Sequence, residues 1–221
     1  MTPTVDDILR EIYDRLWAAY GPQHWWPART IPEVVAGAIL TQNTAWRNVE
    51  RAIANLRRAE CLTWSALRDM PEQRVARLIR PSGTYRIKAV RLKAFVDHLW
   101  NHHHGSLRSM LGGELEQARG RLLAIRGVGP ETADAILLYA GNRATFVVDA
   151  YTRRVLRRHL VTAPGVRYEM VRQSFHRAVK PDIGVYKEYH ALLVAVGKRH
   201  CRARASCEAC PLADLPHDRE L

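Results

Sequence analysis

The segment LLAIRGVGPETADAILLYA, Leu122 to Ala140, decides how this 221-residue chain reads. Ahead of the turn, Leu115, Ala118, Leu122 and Leu123 recur at helical spacing. Ala133, Ile136, Leu137 and Ala140 resume that spacing beyond Gly127-Val128-Gly129-Pro130. The pattern predicts helix, hairpin, helix. The two glycines allow positive φ and leave no side chain over the turn, and Pro130 suits the first position of the second helix. A turn of this kind presents backbone N–H groups at a helix start, where an anion such as a DNA phosphate binds. Gly127, Val128, Gly129 and Thr132 are the residues expected to hold it.

Outward from the hairpin, Thr145-Phe146-Val147-Val148 is a short apolar run that ends in Asp149, and the helix beyond it carries Arg153, Arg154, Arg157 and Arg158. The chain has a formal charge of +12, which favours a polyanionic partner without separating DNA from RNA or an anionic membrane surface. The N-terminus, MTPTVDDILREI, places acids where a signal peptide needs an apolar run, and no window is long enough to span a membrane. The expectation is a cytoplasmic, nucleoid-associated monomer with no membrane partner.

In chain order, Val5, Ile8, Leu9, Ile12 and Leu16 stripe an N-terminal packing helix whose positive end Asp6 and Asp7 stabilise. Trp25 and Trp26 follow in a Pro-flanked loop, either as core plugs or as a stacking surface. The apolar helix from Pro32 to Leu40 breaks at Thr41-Gln42-Asn43-Thr44-Ala45-Trp46, with Thr44 expected to cap the next helix. Lys88, Arg91 and Lys93 read as a solvated basic face or as weak phosphate contacts. His102, His103 and His104 read as a helix end and loop rather than a metal site.

With its GVGPET hairpin, Asp149 and LTQNT string, the chain resembles the endonuclease III superfamily of DNA glycosylases, and the resemblance covers nearly its whole length. It implies an all-α, two-lobed helix-hairpin-helix protein, with a central lobe over 25–143 and a second lobe from 1–24 and 144–221. The implied partner is double-stranded DNA carrying a damaged base. The implied catalytic residue is Asp149, whose carboxylate would stabilise the positive sugar formed as the N-glycosidic bond breaks. A bare Asp before a helix is otherwise an N-cap, and both roles can coexist. Gln42 is implied as the side chain that fills the duplex after a nucleotide flips out. Trp25, Trp26, Trp46 and Lys198 are implied as the base pocket, in the manner of the bacterial 3-methyladenine branch. For Lys198 an exposed basic residue beside Arg199 is an equal alternative.

Glu131 departs from the GVG-x-Lys pattern of bifunctional members, since a carboxylate forms no Schiff base. The reading is therefore a monofunctional glycosylase for alkylated purines, which are cationic and suit an aromatic cage. One alternative is an endonuclease III-like enzyme for oxidised pyrimidine, uracil or mispaired adenine; another is a non-catalytic DNA-binding protein. Cys201, Cys207 and Cys210 align with three of the four thiolates of the superfamily's [4Fe-4S] signature, with Pro216 near the fourth position. A cluster with His200 or His217 as fourth ligand, zinc in a Cys3His site, an approach by Cys61, and an empty loop all remain open.

Overall fold

The computed structural model describes residues 3–218, and among them the chain is helical, with a lone β-bridge between Cys201 and Ala205. The helices are α1 (Val5–Tyr20), α2 (Ile31–Leu40), α3 (Trp46–Arg58), α4 (Trp64–Asp69), α5 (Glu72–Leu78), α6 (Tyr85–His103), α7 (Leu107–Leu111), α8 (Leu115–Leu123), α9 (Pro130–Ala135), α10 (Ala150–Arg158), α11 (Tyr168–Ala178) and α12 (Ile183–Arg199). Their starts are written in the sequence. Thr4, Thr30, Thr63, Ser106, Asp149 and Asp182 each accept a hydrogen bond from a first-turn N–H, a cap worth about 1 kcal/mol apiece. Thr44 does not cap α3, contrary to the sequence expectation: Ala45 takes that position without a side-chain bond, and the Thr44 hydroxyl accepts from Asn48 Nδ2 instead.

The chain divides into two compact units, one from Trp26–Arg143 and the other from the chain on either side of it. The boundary falls between Trp25 and Trp26, one residue later than the sequence places it. In the central unit α2 is the axis, because every residue from Glu33 to Leu40 is buried. The Glu33 carboxylate inside it accepts from Arg57 Nε at 2.9 Å and from the Arg29 N–H. Lys88 is not on a solvated face. It is 1% exposed, and its ammonium donates to the carbonyls of Leu40 and Ser82. Lys93 likewise caps the end of α4 through the carbonyls of Leu67, Arg68 and Met70. Both lysines satisfy helix-end carbonyls that would otherwise be buried without donors.

α8 and α9 carry the hairpin. A buried pair locks them together, with Arg119 donating two N–H groups to Asp134 at 2.9 and 3.1 Å. Beyond Ala135 the helix widens into a π-type turn, Ile136–Ala140, closed by Gly141 N–H to Ile136 O at 2.9 Å. In the terminal unit, Phe146, Phe175, Tyr186 and Tyr189 form the aromatic centre, and the Tyr189 hydroxyl donates to Leu9 O at 2.7 Å, joining α12 to α1. Arg172 holds the strand-like run before Asp149 by donating to Thr145 Oγ1 at 2.9 Å.

Candidate active site

In the central unit the hairpin is a closed turn. Gly127 has φ +88°, and the Val128 N–H donates back to Ile125 O at 3.0 Å. Of the four residues expected to meet a phosphate, Val128 thus spends its N–H inside the turn. Gly129 opens α9 without a capping side chain, so the N–H groups of the first helical turn there have no side chain of Gly129 to satisfy them. The Thr132 hydroxyl is also engaged, accepting from Gln42 Nε2 at 2.9 Å.

Gln42 is the hub of this arrangement. Its Nε2 donates to Gly127 O at 3.0 Å as well as to Thr132, and its Oε1 accepts from Arg91 Nη1. The Arg91 stem lies in the space a Cβ on Gly127 would occupy, with Cδ and Nε at 2.7 and 2.9 Å. The LTQNT turn and the hairpin are therefore one hydrogen-bonded piece. Asn43, not Gln42, is the exposed residue of that turn, at φ +51°. Nothing in the sequence pattern distinguished the two amides. The signal would have been the left-handed conformation that Asn tolerates better than Gln.

Of the three tryptophans expected from the sequence, Trp26 and Trp46 belong to the central unit and Trp25 to the terminal one. Trp26 packs edge-on against Trp46, ring centroids 5.3 Å apart, and lies 5.1 Å from Tyr139. Gly37 makes room for the Trp26 ring, since a Cβ there would sit 3.0 Å from it. The Trp46 indole N–H donates to Glu50 at 3.0 Å. Tyr139, on the π-type turn, is the member of this cluster that periodicity did not single out. Trp25 belongs to the terminal unit, where the Lys198 ammonium stands 5.7 Å from its ring centroid. Lys198 is exposed, and Gly197 before it lets the Tyr151 ring approach α12.

Asp149 caps α10, its Oδ1 accepting the Thr152 N–H at 2.7 Å. Its Oδ2 lies 3.6 Å from His190 Nε2, and the carboxylate keeps 14% of its surface exposed. Burial alone would raise its pKa, but the His190 imidazole and Thr152 outweigh burial and hold the group below the ordinary carboxylate value. An ionised, oriented and accessible carboxylate is what stabilises a cationic sugar. His190, about two turns into α12 on an apolar face, gave no sequence signal.

The terminal unit also wraps its cysteine loop around a small cavity of about 20 Å³ that Cys201, Cys207 and Cys210 help line. Arg158 donates to Cys201 Sγ at 3.2 Å. Burial pushes the Cys210 thiol up, and Cys207 and Cys201 nearby add to the rise. Cys61 has a separate role in the central unit, where it is buried and its thiol donates to Leu56 O at 3.2 Å. Among the described residues no three His, Cys, Asp or Glu side chains converge on a metal position.

Residues 36–181 match the profile of the HhH-GPD superfamily base excision DNA repair proteins. A protein of Methanocaldococcus jannaschii, provisionally named a DNA repair glycosylase, is 43% identical over 211 residues, covering 95% of this chain and 96% of its own. Endonuclease III of Escherichia coli is 28% identical over 189 residues, covering 85% and 84%. The crystal structure of the Helicobacter pylori 3-methyladenine DNA glycosylase bound to 1,N6-ethenoadenine superposes with a TM-score of 0.76 at 25% identity, over 89% of this chain and 98% of that one. Fold, hairpin and family match agree: the chain belongs to the HhH-GPD superfamily of base excision DNA repair proteins and is a DNA glycosylase.

Proposed function

We propose that the protein is a monofunctional glycosylase that removes alkylated purines of the 3-methyladenine type from double-stranded DNA, using water and leaving an abasic site. The observation that carries this reading is Asp149, charged, held at Oδ1 by the Thr152 N–H, 3.6 Å from His190 at Oδ2 and partly exposed. As the bond from C1′ to the base lengthens, positive charge grows on the sugar, and this carboxylate offsets it and orients water. Glu131 occupies the place where a bifunctional hairpin carries its lysine, and a carboxylate cannot attack C1′ to form an imine. The Trp26, Trp46 and Tyr139 cluster supplies π faces that favour a cationic methylpurine over its neutral parent. The relatives named above include both an alkylpurine and an endonuclease III enzyme; the aromatic cluster and Glu131 are what supports the alkylpurine, monofunctional reading.

Within the turn, Gln42 is the side chain proposed to enter the duplex once its bonds to the hairpin and Arg91 are released, with the exposed Asn43 beside it. A nucleotide must leave the stack for its C1′ to be reached, and the vacancy requires a polar filler. No step of this chemistry passes through the cysteine loop.

The test is a panel of lesion-bearing duplexes with and without alkaline cleavage of abasic sites, plus borohydride trapping. Release of 3-methyladenine from methylated DNA, absent in Asp149→Asn, with no covalent capture, is the expected result. Turnover confined to oxidised pyrimidine, uracil or mispaired adenine would overturn the substrate reading, and efficient capture would overturn the monofunctional one.

A further inference from the structure

Both polar atoms of the Gln42 side chain are spent inward. Its Nε2 donates to Gly127 O at 3.0 Å and to Thr132 Oγ1 at 2.9 Å, and its Oε1 accepts from Arg91 Nη1. We propose that Arg91 is the positioning residue for duplex insertion. In the free enzyme its guanidinium holds the Gln42 amide against the hairpin; on DNA it exchanges that amide for a phosphate oxygen, so that gripping the strand is what frees Gln42. The inference rests on the reading of Gln42 as the inserting side chain and is independent of which base is excised.

The backbone of the turn needs no rebuilding for this exchange. The Thr44 N–H donates to Thr41 O at 3.2 Å, which puts Gln42 and Asn43 at the two central positions of a tight turn. Only the Gln42 side chain folds back, and rotation about its χ angles turns it outward. The floor beneath it is fixed by Lys88, whose ammonium donates to Leu40 O and Ser82 O. Lys88 and Arg91 lie three residues apart on α6, so one helix face anchors the end of α2 and grips the amide that follows it.

Arg91 has no anion among its described partners. Its printed bond runs to a neutral amide oxygen, and among the described residues no carboxylate pairs with it. A guanidinium has five N–H donors, and its bonds to a charged phosphate oxygen are roughly twice as strong as bonds between neutral groups. The location suits a strand held at the hairpin. The Arg91 stem fills the space of the absent Gly127 Cβ, with Cδ and Nε at 2.7 and 2.9 Å from it, and that turn leads through Gly129 into α9. Burial lowers the Lys88 ammonium to about 8, and the Arg91 charge adds to the fall. The two cations repel, and an anion reaching Arg91 relieves that repulsion. Once Arg91 turns to phosphate, Gln42 keeps only its two neutral bonds, and the gap left by a flipped nucleotide offers a carboxamide equivalent partners.

The experiment uses the full chain and a duplex with one tetrahydrofuran abasic analogue. A 2-aminopurine opposite the analogue reports by its fluorescence whether the gap is filled. Single phosphates around the analogue are replaced in turn by neutral methylphosphonate, and amplitudes are read at saturating protein. For the wild type, one replacement should lower the amplitude at least about fivefold, while the others weaken affinity alone. Arg91→Met, which keeps a stem beside Gly127, should insert fully on every duplex, and its slope of log affinity against log salt should be shallower by about 0.9, one phosphate. Gln42→Ala should give no amplitude. The exchange is overturned, with Gln42 still the inserting residue, by a wild type indifferent to every replacement. It is equally overturned by an Arg91→Met protein that does not insert, responds to the same phosphate or keeps the wild-type salt slope. Full amplitude in Gln42→Ala would overturn the insertion reading and the exchange together. Should Arg91→Met melt far below the wild type, the methylphosphonate series on the wild type decides alone.

Discussion

Gly127 and Gly129 flank one residue of the same turn, yet a methyl group should affect them in opposite ways. At Gly127, φ is +88°, and forcing an alanine into that region costs about 1–2 kcal/mol. The methyl would also overlap the Arg91 stem, with Cδ at 2.7 Å and Nε at 2.9 Å, so Arg91 must swing away and release Gln42 Oε1. A charge-assisted bond contributes about 1.5–3 kcal/mol when buried, and water recovers part of that at this half-buried site. Gly127→Ala should therefore lose about 3 kcal/mol, or about 6–12 °C in melting temperature for a chain of this size. Gly129 has φ −95° and nothing within 4 Å of the added atom. Gly129→Ala should leave the melting temperature within about 2 °C, helped slightly by a stiffer unfolded chain. If the start of α9 meets a phosphate, however, that methyl stands in its approach, and DNA affinity should fall roughly tenfold, about 1.4 kcal/mol. Thermal melts and fluorescence anisotropy at one fixed salt concentration read both quantities. A Gly129→Ala protein that binds DNA as tightly as wild type would refute the phosphate-turn reasoning, and an unshifted melt for Gly127→Ala would refute the Arg91 packing.

Asp149→Asn keeps an equivalent N-cap and should melt like wild type, while single-turnover base release falls at least about 100-fold; a rate within a few fold of wild type would remove Asp149 from the chemistry. Because Asp149 titrates below its ordinary value, activity persists above that depressed value and is lost as pH falls through it. In His190→Gln the carboxyl pKa rises, so the acid limb of the rate profile should move to higher pH, and an unmoved limb would deny His190 its positioning role. Burial lowers the Lys88 ammonium to about 8 from 10.5. The unfolded chain then binds the extra proton between those values, and stability should rise by about 3 kcal/mol as pH climbs through that window. Urea melts at about pH 8 and pH 10 should show less of this rise in Lys88→Met. Removing one partner of the buried pair, as in Asp134→Ala, should cost about 3–5 kcal/mol, and Arg119→Met with Asp134→Leu distinctly less; equal losses in denaturant melts would contradict the desolvation argument.

What the sequence made legible is what the backbone dictates locally. The hairpin follows from two glycines and a proline at fixed offsets, and the all-α fold from apolar spacing. The cap at Asp149 follows from residue type, since Asp, Ser and Thr bond the N–H groups just ahead of them. Residues whose role depends on partners distant in the chain were not legible. His190 reaches Asp149 across 41 positions of sequence, and Tyr139 joins Trp26 only because α9 widens at its end. Trp25 and Trp26 looked equivalent as neighbours, but the Trp25 ring meets Lys198 in one unit while the Trp26 ring meets Trp46 in the other. Gln42 and Asn43 differ by the sign of one φ angle, which composition does not record.

Charge shows the same limit with consequences for binding. The net +12 counts every Lys and Arg alike, but Lys88, Arg119, Arg158 and Arg172 are buried and bonded inward. Others are held to backbone carbonyls: Arg10 by Ala178, Arg143 by Leu111 and Arg154 by Cys201. A cation committed to a helix-end carbonyl contributes to the distant field, yet it releases no DNA counterion unless it lets go. The cations left to meet phosphate directly are exposed ones such as Arg47 and Arg51 on α3 and Arg126 at the hairpin. Arg91, one side chain away, is tied to Gln42. On the proposed reading, the overall charge draws the polyanion in, while the Gly127–Pro130 turn and the exposed guanidinium groups would set where the strand rests.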